Sequence, residues 1–331
     1  MYPRRMGRPE QISFRAGDLM LAGELLLPDA APPEGRRGRY PWAILLPSWL
    51  PRDRDGAFDS GSHPTWFGSG PDAPIRPGLL RRLAAALVDH GVASIRYDPR
   101  GCGASDGAWP ESELFARIDD ARDALGAMRG RGELDLARTG ILGHGEGATI
   151  ALSVAIADPA VSALTLVGTT ARSFRDVLRR SVAARLARRP NRAHPLVVAL
   201  DRWSEDLIER TDRHEATFAL QLRSGEEVIL NLANWRQAFQ TPSFALATML
   251  HRSVTCVHGD LDRWSHPDES RLLVEALRRG DNQPTLRLVE GAGHDLAELG
   301  DDGIAEIAED LARRLEARSL PPVLLALQDV D

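Results

Sequence analysis

Three glycine-flanked segments hold residue types that move protons or attack carbonyl groups: GHGEG at 143–147, HGDLD at 258–262 and GAGHD at 291–295. Histidine and carboxylate side chains are the common general acids and bases, and each segment supplies at least one. GHGEG has the outline of G-x-S-x-G, the strand-to-helix turn that presents a nucleophilic serine, but Gly145 stands at the serine position. Without a hydroxyl no covalent acyl intermediate can form there. Glycine does enter strained backbone regions without a Cβ clash, so the turn can keep its shape while that chemistry is gone.

Each segment follows a predicted strand, which is where open α/β sheets bind ligands. Residues 11–14 and 19–27 alternate like a hairpin around Ala16–Asp18, and WAILLP at 42–47 is a continuous apolar run expected of a strand buried on both faces. A Gly/Pro/Asp-rich loop from Ser48 to about Gly78 is long enough to suggest function. Helices are expected at 79–89, 111–128 and 148–157, with strands at 92–97, 139–142 and 163–167. After an arginine-rich, mainly helical interruption, strands follow at 254–258 and 285–289 and helices at 267–277 and 304–315. This βα rhythm predicts an α/β fold, a mostly parallel central sheet with helices on both faces. Its parts are a first core segment at 1–168, an inserted helical cap at 169–246 and a second core segment at 247–331.

Composition narrows the function. The 331 residues are 43% hydrophobic, enough for a substantial core. A net charge of −6 argues against general nucleic-acid binding, which needs a basic excess. There is no lysine, which removes Schiff-base chemistry and a P-loop lysine. Two cysteines, Cys102 and Cys256, are too few for a disulfide framework. No secretory leader and no run of about 18 apolar residues is evident, so a cytoplasmic protein without membrane association is expected. No histidine/carboxylate grouping has metal-ligand spacing, and no G-x-G-x-x-G follows the first strand, so neither metal nor dinucleotide cofactor is expected. The apolar segment at 320–331 is expected to pack on the body or to pair subunits in a homodimer.

The order elbow, acid, histidine completes a resemblance. GDLMLAGELLLP, RDRDG at 52–56, RYDPRGCGASDG at 96–107, GHGEGATIA, HGDLDRWS and GAGHD together resemble the α/β-hydrolases of the bacterial esterase and acyl-peptidase-like branch. The resemblance implies Asp262 as the triad acid, with Asp260 the alternative, and His294 as the base. It implies the backbone N–H of Glu146 as one oxyanion donor, the second lying near Ser48 or Trp49. Where the family has a His-Gly pair after the first core strand, this chain has Pro47-Ser48-Trp49.

The expected activity is therefore that of an ester, thioester or acyl hydrolase acting on a small molecule. His294 and Asp262 would serve as a general-base dyad on water or substrate at a vacant Gly145 position. Two alternatives stand beside it: a proton-transfer lyase, isomerase or cyclase, and a non-catalytic pseudoenzyme or engineered inactive hydrolase. Ser48 and Cys102 are candidate replacement nucleophiles. His63, Trp66, Trp203 and Trp235 are candidate substrate contacts, and the arginines between 171 and 193 form either a cationic lid or a solvated helix face.

Overall fold

The computed structural model describes residues 7–32, 38–57, 78–188, 195–221, 225, 227–280 and 282–317. His63, Trp66 and the segment 320–331 lie outside them. An antiparallel hairpin, β1 (Arg8–Ala16) and β2 (Leu19–Leu27), opens the chain and turns at Gly17. Then follow β3 (Tyr40–Leu46), α1 (Leu79–Asp89), β4 (Ala93–Tyr97), α2 (Leu114–Arg129), β5 (Leu134–His144), α3 (Glu146–Ala157) and β6 (Val161–Val167). After an insertion, β9 (Ser253–Gly259), α8 (Asp268–Arg279), β10 (Thr285–Val289) and α9 (Asp301–Glu316) complete the body.

One eight-stranded sheet runs β1-β2-β4-β3-β5-β6-β9-β10, antiparallel at β1-β2-β4 and parallel beyond. All seven residues of β3 are buried, as its unbroken apolar run requires of a strand covered on both faces. One face packs on α2, α3 and α8 through side chains such as Leu125, Leu152 and Leu273. The other packs on α1 and α9 through Leu83, Leu87, Ile307 and Leu311. This is the mostly parallel α/β sheet with helices on both faces that the βα rhythm predicts.

The chain passes from β3 outward to β4 and then returns to β5 on β3's other side, so the strand order reverses there. A crevice must open at the carboxyl ends of β3 and β5. Leu46 pairs with Gly143 across these strands, so the loops after them leave the sheet side by side.

The insertion between β6 and β9 holds α4 (Phe174–Arg188), α5 (Pro195–Asp212), β7 (Thr217–Gln221), β8 (Glu227–Asn231), α6 (Leu232–Gln240) and α7 (Ser243–Met249). It has its own apolar cluster, built from Leu178, Leu207, Phe218, Leu230, Trp235 and Phe239 together with Leu50 and Trp109 of the body. Residue 246 falls inside α7, whose Ala247 packs in the main core.

Local differences from the expected elements have physical reasons. The antiparallel pair β7-β8 interrupts the helices because Phe218, Leu220, Val228 and Leu230 alternate with exposed residues, a period of two. The helix expected at 111–128 begins at Leu114, because residues 109–111 form a separate 3₁₀ turn containing Pro110. The strand expected at 139–142 extends over 134–144, with register shifts beside Thr139.

Candidate active site

Strand β5 ends at His144 and α3 begins at Glu146, so Gly145 is the whole turn. Its φ of 56° and ψ of −117° lie where an L side chain is strained. Two residues on, a Cβ at Gly147 would stand 2.5 Å from the Leu46 carbonyl oxygen and 2.7 Å from that of Pro47. The absence of a side chain at 147 thus lets the loop after β3 press against the elbow.

His294, in the loop after β10, points its Nδ1 at Asp262 Oδ2 at 2.7 Å. Asp262 is buried, and its Oδ1 accepts the backbone N–H groups of Trp264 at 2.7 Å and Ser265 at 3.0 Å. His258 Nε2 also approaches Asp262 Oδ2 at 3.1 Å, and lies 2.7 Å from the Ser265 carbonyl. Burial alone would raise the Asp262 pKa, but the two imidazoles outweigh it and hold the carboxyl well below the ordinary range. Burial likewise disfavours a charged His294, yet the Asp262 carboxylate overcomes this and leaves its pKa above the ordinary 6.5.

That shift has a sign in activity. A histidine acting as base must be neutral, so kcat/KM should fall as pH drops through a pKa above 6.5. Asp262→Asn removes the counter-charge and leaves burial in control, moving this limb to lower pH. A pH–rate profile of both proteins checks it; an unmoved limb would assign the titration elsewhere.

Asp260 does not meet His294; its Oδ1 accepts the Gly291 N–H at 2.7 Å and closes the turn after β10. His144 is fully buried, stacks on His294 with ring centroids 4.6 Å apart, and approaches the His294 carbonyl through Nε2 at 3.1 Å. Burial and the neighbouring His294 push its pKa down to about 3, so it is a neutral support. His144, His294 and Asp295 offer ligand atoms within 4.8 Å of one another. His294 Nδ1 faces Asp262, His144 Nε2 faces the His294 carbonyl and Asp295 lies 3.0 Å from the Arg52 guanidinium, while His144 Nδ1 is buried with no hydrogen-bond partner among the described residues.

A Cβ placed on Gly168, which follows β6 with φ 58°, would sit 3.0 Å from the His294 ring. Gly168→Ala should therefore displace the imidazole and cut turnover by about tenfold or more, since an ångström of misplacement is costly. Steady-state kinetics checks this, with thermal melting separating misplacement from unfolding.

A cleft opens over the elbow, lined among others by Ser48, Trp49, Gly145, Glu146, Phe174 and His294. Trp49 is its aromatic hub, 5.5 Å from Trp235, 5.8 Å from Phe174 and 6.0 Å from Trp264 by ring centroids. Ser48 is buried to 6% exposure and borders both the cleft and Gly145. Cys102 is buried in the cluster shared by cap and body, away from the cleft lining. Trp203 packs against that same cluster, and Trp235 lies behind Trp49 and Phe174, so neither lines the cleft.

Phe174, Val177 and Trp264 line it instead, and the sequence patterns single out none of them. The Glu146 carboxylate pairs with Arg117 at 2.7 Å, and Arg117 also reaches Asn234 Oδ1 at 2.9 Å and Ser112. This network ties the elbow helix to α6 and escaped sequence reading, because its members are scattered along the chain. Arg172, Arg175 and Arg179 pair with Glu269, Asp212 and Glu205, so these arginines are locally neutralised.

An open sheet with an acid loop and a histidine loop meeting over a strand-to-helix elbow defines an α/β-hydrolase. Residues 77–299 match the family model Hydrolase_4, serine aminopeptidase, S33, and the chain belongs to that family. A curated relative, the acyltransferase drtE of Aspergillus calidoustus, is 35% identical over 134 residues, 36% of this chain and 43% of the relative. The match thus spans less than half of that relative. Est1E from Butyrivibrio proteoclasticus, solved with ferulic acid bound, superposes with TM-score 0.62 at 15% identity over 93% of this chain and 100% of its own. A puromycin-hydrolyzing peptidase of Mycobacterium tuberculosis gives 0.63 at 16% over 96% of this chain and 40% of its own. The α/β hydrolase GrgF from Penicillium sp. sh18 gives 0.60 at 17% over 94% and 100%. Likeness at these identities concerns the fold. No helix among the described residues is long and apolar enough to cross a membrane.

Proposed function

We propose that this protein hydrolyses or transfers the acyl group of a small ester or thioester, with His294 as general base and Asp262 as its partner. One observation carries the reading: His294 has one ring nitrogen on Asp262 at 2.7 Å while the other lies 3.1 Å from where a Cβ on Gly145 would be. Asp262 accepts a hydrogen bond from the Nδ1–H, fixes the tautomer and stabilises the imidazolium that forms when Nε2 takes a proton. Gly145 leaves the elbow without a hydroxyl but keeps its backbone turn. The Glu146 N–H, in the first turn of α3, has no intrahelical acceptor and serves as an oxyanion donor. Trp49, Phe174 and Trp264 give the cleft an apolar wall suited to the acyl chain.

Family membership and the partial likeness to an acyltransferase support acyl chemistry over other uses of a histidine base. Short acyl thioesters and esters, offered with and without an alcohol or amine acceptor, test the reading. Release of thiol or alcohol is expected, and acceptor-dependent product would make transfer the main reaction. No turnover of either class would contradict it.

A further inference from the structure

Resting on that acyl-transfer reading, we propose that Ser48 is the nucleophile, its hydroxyl standing from the neighbouring loop in the space that Gly145 leaves at the elbow. The register makes the juxtaposition possible. Leu46 of β3 pairs with Gly143 of β5, and Ser48 and Gly145 each follow two residues later on adjacent loops. Close approach of the Leu46 and Pro47 carbonyls to Gly147 brings the first loop onto the second.

Ser48 then occupies the volume that a side chain at 145 would need. A Cβ built on Gly145 would overlap Ser48 Oγ, stand 2.9 Å from Ser48 Cβ and lie 3.1 Å from His294 Nε2. One point in space therefore touches both the hydroxyl and the base. Among the described residues neither Ser48 Oγ nor His294 Nε2 is committed to a hydrogen bond with a third group. Both border the same cleft. No hydrogen bond joins Ser48 Oγ to His294 Nε2 among the described residues; a nucleophile and its base are often loosely placed before substrate arrives and tighten in its presence. Glycine at 145 and serine at 48 are two halves of one arrangement, since any side chain at the elbow would expel the hydroxyl from it.

The chemistry balances with no added reagent beyond water or an acyl acceptor. A lone pair of Ser48 Oγ forms a bond to the acyl carbon as the Oγ proton passes to His294 Nε2 and the carbonyl π pair moves onto oxygen. Collapse of this intermediate breaks the bond to the leaving oxygen or sulfur, which takes the proton from His294. Water or an acceptor hydroxyl then attacks the Ser48 ester, giving its proton to His294. Release of the acid or new ester returns that proton to Ser48 Oγ.

The test is covalent capture by a fluorophosphonate, read by intact mass and peptide mapping. One adduct on Ser48 is expected. Ser48→Ala should abolish it and lower thioester turnover by about 10³-fold or more, while His294→Ala prevents labelling of Ser48. Ser48→Cys keeps a nucleophile at the site and should be alkylated there by iodoacetamide about tenfold or more faster than the Ser48→Cys, His294→Ala double variant, a His294 dependence that a purely structural position does not predict. An adduct elsewhere, or wild-type turnover in Ser48→Ala, overturns the proposal. If Ser48→Ala is fully active while His294→Ala is not, the dyad reading survives with water as the attacking group. If nothing is turned over and nothing is labelled, both fall.

Discussion

Gly145→Ser is expected to lower turnover, although it rebuilds the G-x-S-x-G pattern. The added Cβ meets Ser48, whose own Cβ would be only 2.9 Å away, at a backbone position with φ 56°. Strain of this kind costs about 1–3 kcal/mol, and the displaced Ser48 loses its place beside His294. Ser48→Gly alone removes the hydroxyl and is expected to be equally poor. The two substitutions together clear the clash and place a hydroxyl on the elbow, 3.1 Å from its Cβ to His294 Nε2 before any adjustment. The pair should recover turnover by about 10²-fold over either single variant, a strongly non-additive result of the sort that residues in contact produce. Kinetics on the four proteins, with thermal melting, measures it. Recovery by Gly145→Ser alone would mean that Ser48 does not fill the elbow.

Asp262→Asn should reduce kcat by about 10³- to 10⁴-fold while leaving the fold intact, because an amide cannot hold the imidazole in the tautomer that frees Nε2. At about 1.36 kcal/mol per decade this amounts to roughly 4–5.5 kcal/mol of transition-state stabilisation. The carboxylate is buried, receives two backbone N–H groups and faces both His294 and His258, so the substitution disturbs a complete hydrogen-bond set. Asp260→Asn is the control. Its carboxylate caps a turn and should leave kcat within about twofold of the wild type, surface substitutions usually being mild. Single-turnover rates for the two variants decide between the acids.

Elements whose signal lies in a short stretch of chain were legible. WAILLP announces a strand covered on both faces, and β3 is buried along its length. The helix at 79–89 and the strand at 285–289 have the expected ends, because their apolar spacing and bounding turns are local. Asp262 and His294 could be singled out because the glycine-rich turns that hold them follow the elbow in the order acid then histidine, which resembles the α/β-hydrolases. Their closure at 2.7 Å required the sheet order that brings β9 beside β10.

The occupant of the elbow was not legible in the same way. Ser48 and Gly145 are nearly a hundred positions apart, and their meeting depends on β3 pairing with β5 in one register. The cleft wall is similar: Phe174 and Trp264 come from separate loops and helices, whereas the more conspicuous Trp203 and Trp235 serve the packing of the inserted segment. Arg117 looks like one more charge on an amphipathic helix, yet Glu146 and Asn234 make it a tie between elbow and cap.

The most direct measurement is the turnover of one short acyl thioester by the wild-type protein and by His294→Ala, side by side at a pH above the acid limb. Loss of about 10³-fold or more in kcat/KM, with an unchanged melting temperature, is the expected result for a general base at the centre of the site. Equal rates in the two proteins would contradict it and would remove His294 and Asp262 from the chemistry.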